Sequence, residues 1–322
     1  MKAKINRKNV IVITALTVGL LLLIAVSVFW GRYTLDINDA KSRIVLVNIR
    51  LPRIFLAVMV GCSLSTAGCV FQNVFHNPMA APDILGASSG ACFGAALAIL
   101  LGQSKAMVTL MAFIFSLITI TLVYIISNMV RGDHVVSMLL AGIMIGSLFS
   151  AGTSYVKLVA DPSDQLPAIT YWLMGSLANS TRADVIKALI PMSIGWVVIF
   201  LIRWRINLLT LSEDEAFSIG VNVKHLRMTC IVMASLLTSA SISVSGMIGW
   251  VGLVIPHLAR KMVGDNAKIL IPVTMLLGGA FLLLVDDLAR NLLATEIPIG
   301  ILNAFLGVPF FIVLMMKGGN RK

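Results

Sequence analysis

Charge is scarce in this chain. Of its 322 residues only 12% are charged, while 58% are hydrophobic, whereas a typical soluble domain carries about 25% charged residues. That shortage argues against an ordinary soluble fold. No stretch rich in Pro, Gly or Ser divides the chain, so residues 1–322 read as a single domain. Cys62, Cys69, Cys92 and Cys230 contain no C-x-x-C pair, which suggests neither a disulfide framework nor a zinc site. The histidines, His76, His134, His225 and His257, are dispersed and form no ligand cluster. A G-x-x-x-x-G-K-[ST] phosphate loop is missing, so the chain has no means of its own to cradle ATP. No nucleophile–base constellation or cofactor motif is apparent. The expectation is therefore a protein without an active site, cofactor or metal of its own.

Long apolar runs fill the space that charge leaves. A membrane-crossing helix needs about 20 apolar residues to traverse ~30 Å of hydrocarbon. Such runs fall near 10–30, 54–75, 84–102, 106–130, 135–158, 185–203, 228–244, 247–262, 269–289 and 299–316. They are continuous rather than alternating, which excludes a β-barrel. A backbone in lipid must satisfy its own polar groups, so each run reads as a helix. The first run follows Lys2, Lys4, Arg7 and Lys8. It is long for a signal peptide and is read as retained, with the N terminus in the cytoplasm. The net charge of +11 is accounted for by basic residues at inner helix ends, without nucleic acid. One loop, 31–53, departs from that bias by placing Arg32, Lys41, Arg43, Arg50 and Arg53 outside. The 17 methionines read as flexible packing rather than as haem or copper ligands.

Three segments lie between the runs: 31–53 and 159–184 outside, and 203–227 inside. The second is expected to fold back in part as a short helix. Gly86, Gly90 and Gly94, and Gly142 and Gly146, recur at four-residue spacing, which lets helix backbones approach closely. For the first set packing is the favoured reading. In the second set, Gly142, Gly146, Ser147 and Ser150 make a small, mildly polar stripe that suits either packing or a pathway. The inner segment carries Ser212 followed by Glu215, a capping-box pattern. Glu213, Asp214 and Glu215 suit a helix N-terminus, and Gly220 would end that helix before a second one from Val221 to Arg227. Acids beside Ala216, Phe217, Ile219 and Val221 point to a short helix docking onto a protein partner, with a self-packed loop as the alternative.

Several blocks then carry a resemblance. Arg50-Leu-Pro-Arg53 is followed by Gln72 and Asn77-Pro-Met-Ala-Ala-Pro-Asp-Ile-Leu-Gly86, with Ser89-Gly90-Ala91 close behind. Trp172-Leu-Met-Gly-Ser176 and Gly249-Trp-Val-Gly-Leu-Val-Ile-Pro-His-Leu-Ala-Arg260 come next. Glu296-Ile-Pro-Ile-Gly300 and Gly307-Val-Pro309 close the series. In this order they resemble the permease subunits of binding-protein-dependent ABC importers for iron–siderophores, haem and vitamin B12, the FecCD type. His76, Met79 and Trp250 depart from the usual Arg, Leu and Phe.

The resemblance implies an all-α integral membrane protein of about ten transmembrane helices with a vitamin B12 importer-like (type II ABC importer) fold, in the bacterial inner membrane. It implies a second permease subunit, a cytoplasmic ABC ATPase dimer gripping helices near 207–225, and an extracytoplasmic substrate-binding protein. Arg50, Arg53 and Arg290 would meet acidic residues of that binding protein. For Arg290 the alternative is a local pair with Asp286, one helical turn away; for Arg50 and Arg53 it is interfacial anchoring. The path would be lined by spans 135–158 and 299–316. The implied cargo is an iron(III) chelate, with haem and vitamin B12 as alternatives. An ion-driven secondary transporter would need ionisable residues deep in the spans, and the sequence places almost none there.

Overall fold

The computed structural model describes residues 7–33, 39–130, 134–210, 221–293 and 295–318, and these contain helices and connections but no strand. Helix α1 (Arg7–Phe29) is followed by α2 (Ala40–Val45), a π-helical turn (Leu46–Arg50) and α3 (Leu51–Val74). These last three run on as one rod. Asp39 starts it, its carboxylate accepting from Lys41 N at 3.1 Å. The π turn comes directly before Pro52, whose missing N–H breaks the regular ladder. Most of what the sequence suggests as an outer loop, 31–53, is therefore a helical extension of α3.

Then follow α4 (Ala87–Leu100), α5 (Lys105–Met129), α6 (His134–Val159), the short outer α7 (Gln165–Leu173) and α8 (Arg182–Ile202). A 3-10 stretch (Arg205–Thr210) precedes α9 (Val223–Ser245), α10 (Val251–Val263), α11 (Ala267–Asn291) and α12 (Ile299–Gly318). Each expected apolar run coincides with a helix. Taking the N-terminal end of α1 as inner, successive crossings alternate and α12 ends inside. One local expectation changes. Val223–Arg227 is not a separate short helix but the first turns of the long α9, which Asn222 caps by accepting from His225 N at 3.1 Å.

Helix α3 forms the centre and is buried along most of its length, against α9, α10 and α11. Small residues allow this closeness. Gly61 meets the backbone of Gly278 on α11, and Gly68 meets the backbone of Gly252 on α10; a Cβ at either glycine would collide with it. Gly90 and Gly94 seat α4 against Thr119, Met111 and Phe115 of α5. At the periphery, α1, α5 and α8 leave Leu21, Leu22, Ile118 and Leu201 exposed. Exposed apolar side chains are the outer surface expected of helices solvated by lipid.

Two helices are too short to cross alone. Helix α4 has 14 residues and α10 has 13, so they are about 21 Å and 20 Å long. The remaining depth is covered by the connections before them, 75–86 and 246–250. These connections build the candidate site.

Candidate functional site

Segment 75–86 re-enters the bundle. It leaves the inner end of α3 with His76 in a left-handed conformation, φ 48°. Pro82 then packs against Gly252, and Gly252 against the Leu64 carbonyl. Leu64 lies ten residues from the inner end of α3 at Val74, or about 15 Å along the axis. Ile84 and Leu85 lie on Gly142 of α6, and Gly86 on Gly146. Gly86 takes φ 72°, a conformation glycine adopts without a steric cost. Backbone without helix at this depth is tolerated only inside protein or beside a cavity.

Such a cavity is present, with a volume of about 550 Å³. Its walls come from the re-entrant segment, the 247–250 connection, the end of α7 and the start of α12. Asp83 is the charged residue on the wall and is exposed there. One of its oxygens, Oδ1, accepts from Ser88 N at 2.8 Å and so holds the start of α4. Met174, Met247, Trp250 and Phe305 line the same cavity. Trp250 sits at φ 69°, a rare conformation for a bulky residue and a form of local strain. Its indole lies over Gly307 and 6.5 Å from the Phe311 ring. Outward of the cavity three chain segments close together. Ser176 N donates to Ser245 O at 2.8 Å and Gly300 N to Gly175 O at 3.4 Å. Gly175, Gly246 and Gly300 pack backbone against backbone, where any Cβ would clash.

A charge network occupies the outer end of the bundle. Arg53 Nε donates to Asp286 Oδ1 at 2.9 Å, and its Nη1 donates to Glu296 Oε2 at 2.8 Å. Arg290 lies 3.4 Å from Asp286, donates to Asp287, and reaches Ser27 Oγ at 2.9 Å. Ser27 in turn donates to Asp287 Oδ1 at 2.6 Å. Arg50 donates to the carbonyls of Val28 and Tyr33. All three arginines are buried; Arg53 and Arg290 meet the carboxylates of Asp286, Asp287 and Glu296, while Arg50 is held by backbone carbonyls. The local Arg290–Asp286 pair foreseen in the sequence is thus present, within a network that ties α1, α3, α11 and the approach to α12. These arginines face inward, engaged by their own chain, rather than projecting from the outer surface.

The small-residue stripe of α6 divides. Gly142 and Gly146 are buried under the re-entrant backbone, while Ser147 and Ser150 stay on the exposed face. Ser147 Oγ donates to its own helix at Ile143 O, 2.8 Å, and Ser150 Oγ to Ser89 Oγ, 3.2 Å. At the inner end, His76 Nε2 lies 2.9 Å from Leu209 O. Asn207 Oδ1 accepts from Ala267 N at 2.8 Å, docking the 3-10 stretch on the start of α11. Val221 is half-buried. Ser212, Glu213, Glu215, Phe217 and Gly220 lie outside the described residues. Among the described residues no group of three or more His, Cys, Asp or Glu side chains is placed to hold a metal ion.

The sequence reading missed Asp83, treating Pro78 and Pro82 as a compact inner turn. No signal in the sequence separates it, because the apolar run that follows, 84–102, is long enough for a full span.

Comparison with known proteins adds the following. The model of the FecCD transport family matches residues 10–317. The molybdate import system permease protein MolB of Haemophilus influenzae is 39% identical over 290 residues, covering 90% of this chain and 86% of that protein. A Helicobacter pylori protein named "Probable iron chelatin transport system permease protein" is 42% identical over 274 residues, covering 85% and 83%. A solved structure described as "An inward-facing conformation of a putative metal-chelate type ABC transporter" superposes with a TM-score of 0.90 at 38% identity, covering 95% of this chain and 98% of that one.

Proposed function

Because this chain belongs to the FecCD transport family, we propose that it is an ABC importer permease that forms the translocation path for an iron(III)–siderophore or a related metal chelate. The observation that carries this reading is the mid-membrane cavity of about 550 Å³, closed on its outer side by the Gly175–Gly246–Gly300 packing. That volume lies in the range of organic ligand sites, ~300–1,000 Å³, and far exceeds the needs of a bare ion. The likeness to an inward-facing metal-chelate transporter supports the same cargo class.

In this reading two permease subunits face each other across a shared axis, with the Ser147–Ser150 face of α6 and the exposed face of α12 toward the path. A loaded binding protein docks on the outer end. An acidic residue of that partner replaces Glu296, the partly exposed member of the network, at Arg53, while Arg50 and Arg290 hold the surrounding helices. ATP is hydrolysed by a separate cytoplasmic ATPase, which engages the segment from Ser212 to Val221.

The test is capture of the cognate ATPase by the detergent-solubilised permease. Exchanging Glu215 and Phe217 together for alanine is expected to lower capture at least tenfold, with the permease still monodisperse. Undiminished capture would remove the coupling role from this segment.

A further inference from the structure

The cavity wall carries a chemical preference that neither the fold nor the family fixes. Asp83 is its charged lining residue. The re-entrant segment sets it at the depth of Leu64 and Gly252, near the middle of the bilayer, where an ionisable side chain is costly to keep without a role. Holding the start of α4 uses Oδ1 on Ser88 N; among the described residues no basic side chain forms an ion pair with it. Opposing positive ends are weaker. A helix N-terminus amounts to about half a charge, felt within its first turn. The α4 end is already met by Asp83 itself, and Gly300 N at the α12 end by Gly175 O. The N-terminus of α10, at Trp250 and Gly252, also lines the cavity; an ionised Asp83 brings a whole charge against the half charge of each such end. Trp250, Phe305, Met174 and Met247 line the same cavity. A cavity that holds a carboxylate and aromatic rings suits cations, which are drawn to the negative face of a ring.

We propose that Asp83, with Trp250, is a cargo-contacting site that selects chelates presenting a positive or protonated-amine face and disfavours oxyanions and highly anionic chelates. This rests on the permease reading above and names the cargo class within it.

The test has two arms on the assembled importer, with its ATPase and binding protein, in lipid vesicles. First, Ala304, on the same cavity wall, is changed to cysteine. Its reaction rates with a cationic (trimethylammonioethyl) and an anionic (sulfonatoethyl) methanethiosulfonate are compared. The native cysteines are buried, and the parent protein sets the background. One unit charge acting over about 10 Å at an effective dielectric of about 20 predicts a cation-over-anion preference of at least tenfold. Asp83→Asn, which keeps an oxygen to accept from Ser88 N, is expected to abolish that preference. Second, uptake is compared for a ferric trihydroxamate bearing a protonated amine and for molybdate. The parent is expected to carry the first and not the second, and Asp83→Asn to slow the first about tenfold with an unchanged melting temperature.

A thiol preference that survives Asp83→Asn, or molybdate uptake by the parent, would overturn the proposal. Vesicles that take up nothing with ATP would instead count against the permease reading, because the thiol ratio reports on the cavity field without transport.

Discussion

At the scale of single residues, burial decides what each charge is worth. The Asp286 side chain is fully buried between Arg53 and Arg290, whereas Glu296 is about one-third exposed. Removing one partner of a buried ion pair strands the other and costs about 3–5 kcal/mol; an exposed pair contributes about 0–1 kcal/mol. Asp286→Ala is thus expected to lower the melting temperature of the detergent-solubilised protein steeply. Glu296→Gln should leave it nearly unchanged while strengthening binding-protein docking, because Arg53 then has no Glu296 carboxylate to give up. Equal thermal shifts for the two would contradict the burial argument. Part of this network was readable beforehand, since Asp286 and Arg290 stand four apart on one helix. The partnership of Arg53 with Asp286 was not, because 233 residues separate them and only the packing of α3 on α11 brings them together.

At the scale of helices, hydropathy located each apolar run, because a continuous run of that length has few other stable states in lipid. It did not reveal that α4 and α10 stop short of crossing. Apolar Ala80, Ala81, Ile84 and Leu85 continue the run before α4, so composition alone does not distinguish helix from re-entrant chain. The 19 residues between Pro82 and Gly102 are enough for a whole span, so counting does not expose the shortfall either. Glycine shows the same limit. Gly61, Gly68 and Gly278 look like ordinary helix glycines in the sequence, yet each lets α3 touch a neighbour backbone to backbone. Gly278→Leu should therefore destabilise by about 1–3 kcal/mol through overpacking. Gly19→Leu, at a position on α1 with no atom near its would-be side chain, should be tolerated. The comparison is read from thermal unfolding and from the monodisperse yield of each variant. Similar losses for both would contradict the assignment of α3 as the central packing helix.

At the scale of the whole molecule, the described structure provides a walled cavity, a closely packed outer side and a clamped outer end, but no phosphate-binding loop in the chain supplies energy. The account therefore makes this protein a conduit whose direction of transport is imposed by an ATPase beneath it. Uptake of a ferric chelate into lipid vesicles tests this most directly, with the permease reconstituted either alone or with its ATPase and binding protein. We predict that the permease alone never raises the internal chelate above the external level, with or without an imposed proton or sodium gradient. The complete assembly should accumulate chelate only when ATP is supplied. Accumulation by the permease alone under an ion gradient would contradict the account.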